Sequence, residues 1–164
     1  MNLTLILHNI RSVYNVASIF RTADGAGVSK IYLVGVTPTP LDRFKKFRAD
    51  FAKVALGAER TVTWEKRQGT SLLLKELKSD EYDILAVEQD KRSVPYYSYK
   101  LSRDKRQVKN KKIALVLGEE TKGLPKLVLD KCDKILEIPM RGKKESLNVS
   151  VAAGIVVYNL LVER

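Results

Sequence analysis

An α/β domain with a mostly parallel sheet flanked by helices is what this sequence predicts, and three features predict it. Five short apolar, β-branched runs recur along the 164 residues. Most are nearly continuous rather than alternating, as in strands buried on both faces of a parallel sheet. Segments with helical spacing lie between them, which is the alternation of α/β folds.

The first strand is expected at Leu3–Leu7. Beyond it Val16, Phe20, Ala23 and Gly27 recur at helical spacing, with Ile19 beside them. A helix is therefore expected from about Asn15 to Ala26, ending near Gly27. The second strand is Lys30–Gly35, and Leu41 to Leu56 reads as a helix with a heavily basic face. Leu72, Leu73, Glu76 and Leu77 predict another helix, and Tyr82–Val87 a third strand. Asp90 to Asn110, rich in Lys, Arg, Ser and Tyr, is expected to be an exposed connection. Strands follow at Lys112–Leu117 and Lys134–Ile138. The last helix, about Leu147 to Val162, is apolar nearly all round: Val149, Ala152, Val156 and Leu160 cover one side, and Val151, Ile155 and Val157 much of the rest. Such a helix is either buried in its own domain or meets a second subunit. In so small a domain the second subunit is the expectation.

One domain spanning 1–164 is the natural expectation at this length. Thirty Lys and Arg against nineteen Asp and Glu leave a net charge of +11, with a pI near 9.7. A surplus of that size points to a polyanionic partner, a solubilising surface being the bland alternative. The single cysteine, Cys132, excludes an intramolecular disulfide and a cysteine-based zinc site, and reads as a small buried residue. No secretory leader is visible, and the longest apolar stretch is broken by Asn148, Ser150, Tyr158 and Asn159. The cytoplasm is the expected compartment, with no membrane and no metal.

Three segments carry residues that packing alone does not require. The first runs from Asn15 to Ala23. Asn15 reads as a helix N-cap and Arg21 as a snorkelling surface residue, but a guanidinium there is also able to fork onto a phosphate. The second, Leu115 to Pro125, takes a strand into Gly118, two acids, Gly123 and a proline-initiated helix. Ligands of α/β sheets bind beyond the carboxyl ends of strands. Gly118 is expected to let a ligand approach the backbone closely, and Gly123 to supply a positive-φ turn. The segment is neither a P-loop nor a GxGxxG fingerprint. Two adjacent carboxylates repel phosphate and suit a ligand bearing positive charge or hydroxyls. The third, Ile138 to Gly154, is a strand end, a loop and a helix whose first turn carries Ser146, Asn148 and Ser150, with Ser146 the expected N-cap.

In this order and spacing the three segments resemble the motifs of the SpoU (TrmH-like) branch of the SPOUT superfamily of RNA methyltransferases. The match is Asn15 and Arg21 in the first, Gly118, Glu120 and Gly123 in the second, and Pro139-Met140 with Ser146-Leu147-Asn148-Val149-Ser150 in the third. It runs from Leu5 to Leu161, with Ala17 standing where relatives often carry Gly or Ser. The resemblance implies a deep C-terminal trefoil knot, which topology rules alone would never suggest. It implies S-adenosylmethionine bound by Leu117, Gly118, Glu120, Gly123, Ile138, Met140, Ser146, Leu147 and Asn148, and a homodimer through the first and last helices. It implies methyl transfer to a ribose 2′-hydroxyl of tRNA or rRNA, with Arg21, Asn15, Glu120, Ser146 and Asn148 as the catalytic set. A guanidinium is effectively never deprotonated, so Arg21 is expected to clamp a phosphate and stabilise the developing alkoxide, with Glu120 orienting it. His8 falls outside the motifs and reads as structural.

RNA contacts are expected from Arg43, Lys45, Lys46 and Arg48 on one segment, and on another from Arg103, Lys105, Arg106 and Lys109, flanked by Lys100, Lys111 and Lys112. Tyr96, Tyr97 and Tyr99 either stack on unpaired bases or pack on the sheet edge, the latter being the expectation. Two rival readings are a nucleotide-dependent α/β protein, which lacks its phosphate loop here, and a knotted RNA-binding protein without catalysis, which fits poorly with a complete set of motif residues.

Overall fold

The structure, a computed structural model, describes residues 1–100 and 110–161. Its sheet strands are β1 (Asn2–His8), β2 (Lys30–Val34), β3 (Trp64–Arg67), β4 (Asp83–Val87), β5 (Val94–Pro95), β6 (Lys112–Leu117) and β7 (Lys134–Glu137). All pairings among them are parallel, in the order β3-β2-β1-β6-β4-β7-β5. The helices are α1 (Val13–Ala26), α2 (Ala49–Ala55), α3 (Ala58–Thr61), α4 (Thr70–Ser79), α5 (Lys126–Leu129) and α6 (Val149–Leu161), with a 3₁₀ turn at Tyr96–Ser98.

The expected sheet is present, and its central strands are buried on both faces. Alternation divides them: Leu3, Leu5, Leu7, Ile113, Leu115 and Leu117 join one core with α1, α2 and α6. Ile6, Ala114, Val116, Ile84 and Ala86 join the other, under α4 and α5. That is why these runs read as continuous: no face is left for water.

Two strands escaped the pattern. β3 is Trp-Glu-Lys-Arg on a sheet edge, with no residue fully buried. β5 is two residues long and ends in proline, tolerated because the strand is also an edge. The long helix expected over 41–56 is instead a turn followed by α2. Asp42 accepts hydrogen bonds from the backbone amides of Phe44 (2.8 Å) and Lys46 (2.9 Å), Lys45 takes φ +60°, and Leu41 bridges Phe47. A short acidic side chain has outcompeted the helical ladder.

α1 begins earlier than expected and is capped by Ser12, whose Oγ accepts from the Asn15 amide. Asn15 is therefore not the cap. The helix does end at Gly27, in the left-handed region at φ +76°. α6 packs on α1 and buries Ala153, Val156, Val157 and Leu160, leaving Val151 and Tyr158 about half exposed on its other side. No helix among the described residues is long and apolar enough to cross a membrane.

Strand order reverses around β6, which enters between β1 and β4 after the chain has already laid down both. Crevices at such reversals, beyond the carboxyl ends of strands, are where α/β sheets hold ligands.

Candidate active site

β6 runs out at Leu117, and Gly118 starts a loop that folds back on itself. A Cβ on Gly118 would sit 2.6 Å from the Gly123 carbonyl carbon and 2.8 Å from the Leu124 nitrogen. The missing side chain thus makes room for the loop's own backbone. Glu119 and Gly123 pair across the loop, the Gly123 amide donating to the Glu119 carbonyl at 3.0 Å. Gly123 has φ +62°, as expected. Pro125 stands at the N-cap of α5.

Glu88, just past β4, fastens this loop. Its carboxylate accepts from the amides of Leu124 (2.7 Å) and Gln89 (2.9 Å), and it fills the space a Gly123 side chain would need. Sequence reasoning missed Glu88; the signal was an acidic residue directly after a buried strand. Beyond β7 the third segment crosses the same region with Arg141 to Asn148 all exposed. Gln89 Nε2 donates to the Glu145 carbonyl at 2.5 Å and holds that segment to the end of β4. α6 starts at Val149, so the cap is Asn148 and not Ser146. Asn148 Oδ1 accepts from the Ser150 amide (2.9 Å) and from Ser150 Oγ (2.6 Å).

Between these loops lies an open cleft of about 610 Å³, a volume usual for small-molecule sites. All nine residues expected to hold the cofactor line it: Leu117, Gly118, Glu120, Gly123, Ile138, Met140, Ser146, Leu147 and Asn148. Val87, Glu88, Gln89, Glu137, Glu145 and Ala152 line it too, without having been singled out. Its wall joins apolar strand ends to five carboxylates, Glu88, Glu119, Glu120, Glu137 and Glu145, with Lys122 the sole cation among the lining residues. Such a wall disfavours a phosphate and favours a cationic, hydroxyl-bearing ligand.

At the rim the three motifs meet. Asn15 Nδ2 donates to Glu120 Oε1 at 2.7 Å, and Asn148 Nδ2 donates to Asn15 Oδ1 at 3.0 Å. Positions separated by 105 and 133 residues in sequence thus share one hydrogen-bond chain. Released from capping, Asn15 uses both ends of its amide to join the other two segments. Arg21 does not enter the chain. It is exposed on α1, six residues on from Asn15 and so roughly 9 Å further along the helix axis, outside the cleft lining. Glu120, expected to orient Arg21, bonds Asn15 instead, and Arg21 has no acidic partner among the described residues.

His8 ends β1 beside this region but outside the cleft. Its Nδ1 lies 2.6 Å from Thr70 Oγ1 and its Nε2 3.1 Å from Asn9 Nδ2. Burial holds its pKa below the usual 6.5, against the opposing pull of Glu119. Glu119 itself pairs with Arg11 at 3.7 Å. Cys132 is partly buried, and burial pushes its thiol to about 11, which makes it unreactive. Among the described residues no group of three or more His, Cys, Asp or Glu is placed to hold a metal.

Of the basic residues, Arg43, Lys45 and Lys46 are exposed, whereas Arg48 is engaged by both carboxylate oxygens of Asp50. Lys111 pairs with Asp83, and Lys112 donates to the Asp80 carbonyl. Arg103, Lys105, Arg106 and Lys109 lie outside the described residues. Tyr96 and Tyr99 pack against the core as expected, while Tyr97 is half exposed.

Comparison with known proteins bears on the family and the fold. The sequence model of the SpoU rRNA Methylase family matches residues 2–158. A 23S rRNA (guanosine-2′-O-)-methyltransferase of Escherichia coli is 30% identical over 160 residues, covering 98% of this chain and 60% of the relative. The chain therefore spans about 60% of the length of the curated relatives it matches. An AdoMet-bound rRNA methyltransferase from Sinorhizobium meliloti superposes with a TM-score of 0.83 at 26% identity, over 97% of this chain and 55% of that one. The A. aeolicus TrmH/SpoU tRNA modifying enzyme superposes at 0.80 with 28% identity, over 98% and 74%. Matched by the family model over nearly its whole length and alike in fold to these enzymes, the chain belongs to the SpoU rRNA methylase family.

Proposed function

We propose that this protein methylates a ribose 2′-hydroxyl of tRNA or rRNA, taking the methyl group from S-adenosylmethionine. The observation that carries the reading is the hydrogen-bond chain Glu120–Asn15–Asn148, which ties all three motifs to the rim of an acidic cleft. The cleft suits the donor: apolar strand ends at Leu117 and Ile138 for a flat base, and carboxylates for ribose hydroxyls and a positive sulfonium. When bound there, the donor supplies an already activated methyl group, so no metal is needed.

What the chain's own residues supply is alignment and charge control. Leu117, Gly118, Gly123, Ile138, Met140 and Leu147 form the walls that hold the donor. Ser146 and Asn148, which line the same cleft, position the incoming hydroxyl against it. Asn15, fixed from both ends, sets the spacing between Glu120 and Asn148. Arg21, exposed and without an acidic partner among the described residues, grips the phosphate next to the target ribose and stabilises the oxygen as its proton leaves to solvent. We further read the sheet reversal around β6 as the knotted arrangement of the family, and the exposed side of α6 as a homodimer contact.

Arg21→Ala tests the assignment. Turnover of labelled donor on cellular RNA is expected to fall by at least about 100-fold, the scale of losing one transition-state stabiliser. Donor affinity by calorimetry is expected to stay within about twofold, because uniform binding is untouched. Loss of donor binding along with turnover would show that Arg21 belongs to the cofactor site instead.

A further inference from the structure

The turn between β2 and α2 has a feature that the basic residues alone do not explain. Phe44 stands at its tip with 66% of its surface exposed. The turn is not loose. Asp42 accepts from the Phe44 and Lys46 amides, the Asp42 amide donates to the Lys46 carbonyl (2.8 Å), and the Lys45 amide donates to the Asp42 carbonyl (3.1 Å). Its neck is closed by the Leu41–Phe47 bridge, with Arg60 over the Phe47 ring at 4.6 Å. A chain that takes this trouble to order a turn holds an apolar ring out in water.

The ring is dressed for a particular contact. The Arg43 guanidinium lies over it, 4.7 Å from the centroid. One face is thereby occupied by a cation while the ring as a whole remains two-thirds exposed. Asp42 spends its carboxylate on backbone amides and Arg48 is taken by Asp50, so among the described residues Arg43, Lys45 and Lys46 have no ion-pair partner and present their charge to an outside one. An aromatic face flanked by exposed cations fits a nucleobase with its phosphates, because every base presents a π-face and the cations track the backbone. The turn leaves the carboxyl end of β2. In a parallel sheet that is the same end as the cleft beyond β6 and β4, with only β1 between β2 and β6.

We infer that Phe44 stacks on an unpaired base of the RNA substrate, while Arg43, Lys45 and Lys46 hold the adjoining phosphates. The ring gives the protein a preference for single-stranded or looped RNA over duplex, since a paired base has no free face to offer. This rests on the RNA reading above, and the experiment separates the two.

Binding of the purified chain to a fluorescent oligoadenylate of about 12 nucleotides is measured by anisotropy over a range of salt, beside an adenylate–uridylate duplex of equal length. Phe44→Ala is expected to weaken single-strand binding about tenfold with the salt slope unchanged, and duplex binding by less than about twofold. Phe44→Trp is expected to restore single-strand affinity, which a damaged turn would not allow. Wild-type binding that Phe44→Ala leaves unaltered overturns the stacking contact alone, as does an equal loss on strand and duplex. Failure of the wild-type chain to bind either RNA overturns the RNA reading and the contact with it.

Discussion

His8 shows how much one side chain's surroundings decide. Asn9 Oδ1 accepts from the Val36 amide, which fixes the amide so that Asn9 Nδ2 faces His8 Nε2. A donor on Nε2 places the proton of neutral His8 on Nδ1, toward Thr70. Protonation would set two donors face to face, in addition to the burial that already depresses the pKa below 6.5. A histidine whose folded pKa is depressed costs no stability while both states are neutral, above pH 6.5. As pH falls through 6.5 the unfolded chain takes up a proton that the folded one refuses, and stability declines until the lower folded pKa is reached. Urea melts of the wild type and of His8→Gln between pH 7.5 and 5 are therefore expected to converge at low pH. Parallel curves would mean that His8 titrates alike in both states. The sequence identified His8 as lying outside the motifs, but its partners Asn9 and Thr70 come from a strand end and a distant helix.

At the scale of elements, the loop after β6 is held from several sides. Gly118 has Gly123 backbone where a side chain would go, and Gly123 has the Glu88 carboxylate. Only the second obstacle is a side chain, and it is itself fixed by the Leu124 and Gln89 amides. Gly118→Ala is expected to destabilise the fold by about 1–3 kcal/mol, the range of overpacking in a site that is unable to relax. It is also expected to weaken donor binding by calorimetry, since the displaced loop forms a cleft wall. A variant with wild-type stability and donor affinity would contradict the close approach described here. The sequence told where this loop begins and that Gly123 needs a left-handed conformation. It did not show that Gly123 backbone lies against Gly118, because only the folded chain shows which atoms compete for the space. The helix expected over 41–56 failed for a similar reason: periodicity is blind to an aspartate that satisfies the amides two and four residues ahead.

For the whole molecule, the open question of α6 is half answered. One side packs into the core; the other leaves Val151 49% and Tyr158 46% exposed, one above the other at a seven-residue spacing. Tyr14, on the neighbouring α1, is 62% exposed. If that side is the contact between two copies, Val151→Glu has to bury a charge without a partner, and dimer affinity is expected to drop at least about tenfold. Sedimentation equilibrium reads it directly. A wild type that sediments as a monomer removes the dimer reading.

The sequence by itself determined the α/β class, the five buried strands, and the chemical character of the site. Those properties are written in local composition: runs with no polar face, and polar residues where packing requires none. Tertiary structure decided which of these residues meet. No spacing rule brings Asn15 to Glu120 and Asn148, because hydrogen bonds across 105 and 133 residues exist only once the sheet has been ordered around β6. It also decided the roles: capping passed from Asn15 to Ser12 and from Ser146 to Asn148, and Glu88 became the clasp of the cleft. Capping depends on where a helix actually starts, and that is fixed by packing, not by the residue that prefers the position.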